Sequence, residues 1–282
     1  MYTLIISVAC SVAVSILLKV ARRHDIHIGQ AIAVNYVVAT ALCLVIFQPH
    51  PSSLLTPSTP WWILIALGLL LPTIFLAMAG AVRQAGIVLS DAAQRLSLFI
   101  PLMAAFLLFG EVYSSAKLLG IGLALIALVC LLIRPQTQAG AGERGKSVLL
   151  LLSVWVGYGT IDILFKQLAK SGAAFSSSLF VSFVLAGIVI FAYLLLQRTQ
   201  WTRRSLVAGL LLGLLNFGNI YFYIRAHQVF SGNPTLVFST MNIGVISLGT
   251  LVGAGFFKEK LSWLNVLGIA LAITAIIVLI PR

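Results

Sequence analysis

Long apolar runs recur along the whole chain, separated by short polar connections. They lie at roughly 1–20, 28–48, 61–82, 86–109, 113–133, 147–168, 175–197, 204–227, 232–256 and 260–280. About twenty apolar residues cross the hydrocarbon of a bilayer as a helix, and hydrocarbon leaves each segment to satisfy its own backbone groups. The pattern therefore predicts an all-α polytopic membrane protein with ten transmembrane helices. Composition agrees: of 282 residues 61% are hydrophobic and 9% charged, with a mean hydropathy of +1.11, far outside the soluble globular range. The net charge of +12 would point to nucleic acid in a soluble protein. Here Lys and Arg gather in the short loops, so the bilayer is the expected partner and no nucleic acid is. Residues 1–20 lack the basic start of a signal peptide, and Ser7, Ser11, Ser15 and Lys19 recur every four residues, which reads as a retained first helix with a polar stripe. Pro49, Pro51, Pro57 and Pro60 break the chain before Trp61 and Trp62, an interfacial aromatic pair.

The longest polar link, 134–146, divides the spans into a first repeat, 1–133, and a second, 147–282. A shift of 148 lays Phe109, Glu111, Ser114, Leu119, Gly120, Ile121, Leu123 and Ala124 on identical residues at Phe257, Glu259, Ser262, Leu267, Gly268, Ile269, Leu271 and Ala272. A shift of 147 lays Ser15–Lys19 on Asp162–Lys166. Because each copy holds an odd number of spans, two joined copies must sit in opposite orientations. Inverted repeats of this kind build secondary transporters, with the substrate site between the halves at midplane.

The fourth span sets Asp91, Gln94 and Arg95 at i, i+3 and i+4 on one helical face within apolar sequence. Ionisable residues at membrane depth face a protein interior or watery cavity and mark a site by default, although mutual neutralisation of Asp91 and Arg95 near an interface is the plainer reading. Pro101 and Gly249 correspond under the 148 shift and are the expected hinges, the proline freeing the carbonyl of Ser97. The charges are not repeated: Asp91, Gln94 and Arg95 fall on Ser239, Asn242 and Ile243. Asn216, Asn219, Tyr223 and His227 form a stripe in the eighth span, and Asn35 with Tyr36 stands in the second. Such groups line a substrate cavity or serve as interhelical bonds. Asp162 and Lys166 read as a self-paired couple. Glu111 and Glu259 read as caps of the helices that follow them, and Gly209/Gly213, Gly249/Gly253 and Gly120/Gly122 as sites of close helix approach. Cys10, Cys43 and Cys130 have neither disulfide nor metal spacing. No catalytic or phosphate-binding motif occurs, so neither an enzyme, a cofactor nor a metal is expected.

Two five-span copies, each with Phe then Glu and a Gly-Ile helix (Phe109-Gly110-Glu111…Gly120-Ile121 and Phe257-Lys258-Glu259…Gly268-Ile269), resemble the drug/metabolite transporter superfamily in its EamA-like ten-helix branch. The resemblance spans essentially the whole chain. It implies a bacterial inner-membrane protein, monomer or homodimer, that exports amino acids or other small metabolites through a central cavity. The first span lacks the tryptophan many relatives carry, and Asp91 with Arg95 is no general family feature. Lys and Arg favour both termini outside, since the linkers 134–146 and 198–204 lie on the opposite side; the resemblance implies both inside. The expected function is secondary transport of a small amino acid or related carboxylate by alternating access. Arg95 is the carboxylate anchor, Asp91 both its partner and the proton-coupling group, and Gln94, Asn216, Asn219, Tyr223, Asn35 and Tyr36 complete the shell. A non-transporting receptor or assembly subunit is the alternative. A small-cation multidrug exporter ranks below both, because the first span holds no acid.

Overall fold

The computed structural model describes residues 2–21, 24–54, 59–101, 103–104, 115–132, 141–170, 174–230 and 234–278. Its helices are α1 (Tyr2–Ala21), α2 (Ile28–Phe47), α3 (Trp61–Ala85), α4 (Ile87–Leu96), α5 (Ser115–Leu132), α6 (Ala141–Lys170), α7 (Phe175–Leu196), α8 (Arg203–Val229), α9 (Pro234–Thr250) and α10 (Trp263–Val278). A 3-10 turn, Pro51–Leu54, precedes α3, and α9 runs on into a π-helical turn, Leu251–Phe256. No strand occurs among the described residues. Among the described residues seven helices are long and apolar enough to cross a membrane: α1, α2, α3, α6, α7, α8 and α9 with its π turn. Apolar stretches of α5 and α10 are shorter.

The outer surface is made of the residue types that water would reject. Leu149, Val156, Ile188, Leu195, Leu210, Leu214 and Val266 are all exposed, and a continuous apolar exterior of this kind suits lipid as solvent. The hydroxyls on that exterior bond back to their own helix: Thr73 to Leu69 O, Ser153 to Leu149 O, Thr160 to Val156 O and Thr274 to Ala270 O, all at 2.8–2.9 Å. Hydrocarbon offers them no other acceptor.

The helix pairings follow a pattern. Helix α2 packs on α8 and α7 on α3; α1 packs on α8 and α6 on α3; α1 meets α9 and α6 meets α4. The pairs α2·α7, α4·α9 and α5·α10 are the other extensive ones. Raising every helix number by five, and counting round, returns this set of extensive pairs, whereas the smaller contacts α1·α3, α2·α3 and α1·α4 have no counterpart of similar extent. Glycine makes the closest of these approaches possible. A Cβ at Gly213 would meet Val38 Cβ at 2.5 Å, and one at Gly68 would meet Leu185 Cβ at 2.5 Å. Gly209 and Gly253 are equally crowded, against Val34 and Val88 at 2.5 Å, and Gly268 less so, against Cys130 at 3.0 Å. Gly122 faces open space, so its expected role in close approach fails.

Two boundaries depart from expectation. The apolar run 86–109 is not one helix, because α4 stops at Leu96. Ser97 N bonds Gln94 O at 3.2 Å, Leu98 N bonds Arg95 O at 3.4 Å, and the Ser97 hydroxyl donates to Gln94 O at 2.6 Å. These i to i−3 bonds tighten the last turn and end the helix. Helical structure resumes at Phe99, so Pro101 lies in a first turn, where a missing N–H costs nothing. The carbonyl of Ser97 is taken by Ile100 N at 2.9 Å and is not left free as expected. The break lies ahead of the proline. The second departure is α6, which begins at Ala141 inside the expected linker 134–146. Glu111 and the rest of 105–114 lie outside the described residues.

Candidate functional site

The polar stripe of α1 organises the interior. Each of its four members points to a different partner. Ser7 Oγ donates to Asn219 O at 3.0 Å, and Asn219 Nδ2 donates back to Ser7 O at 2.8 Å. Ser11 Oγ accepts from Arg95 Nη2 at 2.7 Å, Ser15 Oγ donates to Asp91 Oδ1 at 2.7 Å, and Lys19 Nζ lies 3.0 Å from Glu259 Oε1. As the α1 number falls from 15 to 11 the α4 number rises from 91 to 95, so α1 and α4 run antiparallel with matched turns.

Asp91 and Arg95 stay within electrostatic reach of one another, but the hydrogen bond each makes goes to a serine of α1. The ion pair among the described residues is Lys19–Glu259. What the serines leave over matters more. Asp91, only 2% exposed, has Oδ2 buried with no hydrogen-bond partner, and Arg95 has Nε in the same condition. A carboxylate oxygen and a guanidinium N–H without partners at this depth are costly.

Around Arg95 stand Asp91, Tyr223, Tyr158 and Asp162, all within electrostatic reach of the guanidinium. Tyr36 in turn lies within reach of Tyr158. Asp162 is exposed, on the same helix as Tyr158. Trp155 Nε1 donates to Leu96 O at 3.1 Å, taking a carbonyl freed by the end of α4. Side chains of α1, α4, α6 and α8 thus converge on Arg95.

Expected site residues divide into two groups. Asp91, Arg95 and Tyr223 come together, with Gln94 half-buried beside them and its side chain unbonded among the described residues. Tyr223 stands edge-on to His227, ring centroids 4.7 Å apart. Asn216 and Asn219 are occupied otherwise. Asn216 Nδ2 donates to Asn35 Oδ1 at 3.1 Å, tying α8 to α2, and Asn219 ties α8 to α1. These three amides serve as interhelical bonds, the other role open to them. Tyr36 is buried and packs on Phe183 at 6.2 Å.

Gly249 also changes meaning. A Cβ there would meet Asp91 Oδ2 at 2.8 Å, so this glycine makes room for the carboxylate, and the irregular part of α9 begins two residues later at Leu251. Glu259 does not cap α10 as expected. Its carboxylate accepts Ile87 N at 2.8 Å and Val88 N at 3.1 Å, capping α4 across the bundle. Gly86, at φ 95°, and Gly253 make the approach possible, since a Cβ on either would meet Glu259 Oε2 at 2.6 and 2.9 Å.

The sequence reading missed Ser11 and Ser15 as partners of the charged pair, and Trp155, Tyr158 and Asp162 as neighbours. One signal was available. The shift of 147 carries Ser11, Ser15 and Lys19 onto Tyr158, Asp162 and Lys166, so α6 bears the counterpart of the α1 stripe. Among the described residues no cluster of three or more His, Cys, Asp or Glu could hold a metal ion.

No family model matches the chain. A protein solved by crystallography has the same fold at a TM-score of 0.60 and 19% identity, over 98% of this chain and 96% of that one. An uncharacterized protein of Haemophilus influenzae is 55% identical over 281 residues, 98% of this chain and 96% of its own length. Identity at that level along both chains places the present one in the same family as that Haemophilus influenzae protein.

Proposed function

We propose that the chain is a secondary transporter of the bacterial inner membrane that exports a small amino acid or related carboxylate-bearing metabolite by alternating access. In this reading ten spans form two inverted five-helix copies. The five-step regularity of the extensive helix pairings supports it, as do the similar close contacts of Val38 on Gly213 and Leu185 on Gly68; Val38 and Leu185 are 147 apart, and the two glycines lie two places off that register, 145 apart.

The observation that carries the reading is the pair of unspent groups, Asp91 Oδ2 and Arg95 Nε, buried between the helices. Arginine's planar fork holds a carboxylate through two parallel bonds. Nε is one of the donors such a fork uses, so a substrate carboxylate satisfies it, with Tyr158, Tyr223 and Gln94 at hand for the rest of the ligand. Asp91, held by Ser15, is the group through which proton movement couples to cargo.

Purified protein in liposomes should move a labelled amino acid in a saturable way, faster with an imposed pH gradient and indifferent to sodium. Binding without flux would leave a receptor or assembly subunit. Flux driven by sodium alone would remove Asp91 from the coupling.

A further inference from the structure

At one end of the bundle the surface folds into a groove of about 630 Å³ between the last turns of α1 and the first turns of α8. Its depth is apolar, lined by Leu17, Val20, Ile26, Val207, Ala208 and Leu211. Its polar groups are His24, Arg203 and Arg204. All three are exposed, and no carboxylate pairs with either arginine among the described residues. From Arg203 to Leu211 the helix advances about 12 Å, so the lining runs from a cationic rim roughly two turns into the apolar layer.

The two arginines also stand in the first turn of α8, where the helix dipole is positive and disfavours cations. Asp25, next to His24, sets one carboxylate beside the rim against two guanidiniums. The corner is held in shape: His27 N donates to Ser205 Oγ at 2.8 Å, Gln30 Nε2 to Gln200 O at 2.6 Å, and Thr202 N to Gln30 Oε1 at 3.1 Å. The groove is therefore preformed, which lowers the ordering cost of any occupant.

An occupant must match both parts, an anionic head at the rim and an apolar chain along the helices. We propose that this groove binds an anionic phospholipid, its headgroup phosphate held by Arg203 and Arg204 beside His24 and one acyl chain lying between α1 and α8. Unlike bulk annular lipid, this lipid is selected by headgroup charge. Because α1 and α8 come from opposite halves of the chain, it also clamps the two halves at this end. The inference does not depend on whether the protein transports anything.

The test is thermal unfolding of the delipidated full-length protein in neutral detergent, titrated with phosphatidylglycerol, with phosphatidylcholine of the same acyl chains, and with glycerol 3-phosphate. Phosphatidylglycerol should raise the midpoint saturably, and the other two should not. Arg203→Gln/Arg204→Gln should weaken that response roughly thirtyfold, the ordinary contribution of two surface cations. Val207→Trp, at an exposed lining position, should abolish it with both arginines intact. Lys258→Asn/Lys260→Gln removes as much charge outside the groove and should change nothing. Equal stabilisation by phosphatidylcholine, full stabilisation by glycerol 3-phosphate alone, or an unchanged response in the arginine variant would each overturn the proposal.

Discussion

Each polar side chain of α1 has its own partner across the bundle, and this spending of hydrogen bonds separates structure from site. Ser7 and Asn219 satisfy one another, as do the amides of Asn35 and Asn216 in part. Ser11 and Ser15 satisfy only one atom each of Arg95 and Asp91. On the transport reading, Arg95→Lys keeps the charge and loses the fork. Losing one charge-assisted hydrogen bond costs about 1.5–3 kcal/mol, so flux should fall roughly tenfold to a hundredfold while the protein still inserts and unfolds at nearly the same temperature. Ser11→Ala should cost less, because the guanidinium itself is kept. An Arg95→Lys variant that transports at the original rate would remove the anchor role. The four-residue recurrence of the stripe was legible in the sequence. Its partners were not, since they depend on which helices face α1. Asp162 read as the partner of Lys166 on its own helix, and that local spacing gave no sign that it also lies within electrostatic reach of Arg95.

Helix α4 is ten residues long, about 15 Å at 1.5 Å per residue, half the thickness of a bilayer core. Hydropathy could not reveal this, because the apolar residues continue unbroken past Ser97 while the hydrogen bonding changes there. Arg95 sits in the last turn of the half-helix, where the negative end of the dipole favours a cation. The opposite end is capped by Glu259 from the α9–α10 connection. The identity of Glu111 and Glu259 under the repeat marked the residue as important, but a cap that reaches a distant helix leaves no sequence spacing to find. Glu259→Ala uncovers two backbone N–H groups and strands Lys19. A lost cap alone costs about 0.5–2 kcal/mol, and the measured loss should lie at the upper end or beyond. Lys19→Met leaves the carboxylate on its two amides and should cost less. Chemical unfolding of both variants checks the order; a larger loss for Lys19→Met would mean that the ion pair, rather than the cap, holds this corner.

At the scale of the whole molecule, separate contacts bring Lys19, Lys258, Lys260, Arg203 and Arg204 to one end. Lys19 meets Glu259, which touches the start of α4 just after the end of α3. Its neighbours Lys258 and Lys260 stand at the same end, and His27 on Ser205 brings the start of α8 there too. This clustering is independent of any assumed count of spans, so it strengthens the charge argument drawn from the loops alone. Read with the positive-inside rule, the cluster predicts this end in the cytoplasm and the amino terminus, at the other end of α1, outside. The resemblance to ten-helix exporters implies the reverse, and one labelling experiment separates them. On a background with Cys10, Cys43 and Cys130 replaced, all of them half-buried or buried within helices, a cysteine at Tyr2 should react with an impermeant maleimide in intact cells. One at Lys260 should react only after the membrane is opened. The opposite pattern would show that packing or neighbouring domains, rather than loop charge, set the orientation, and would move the cationic groove to the outer leaflet with its lipid.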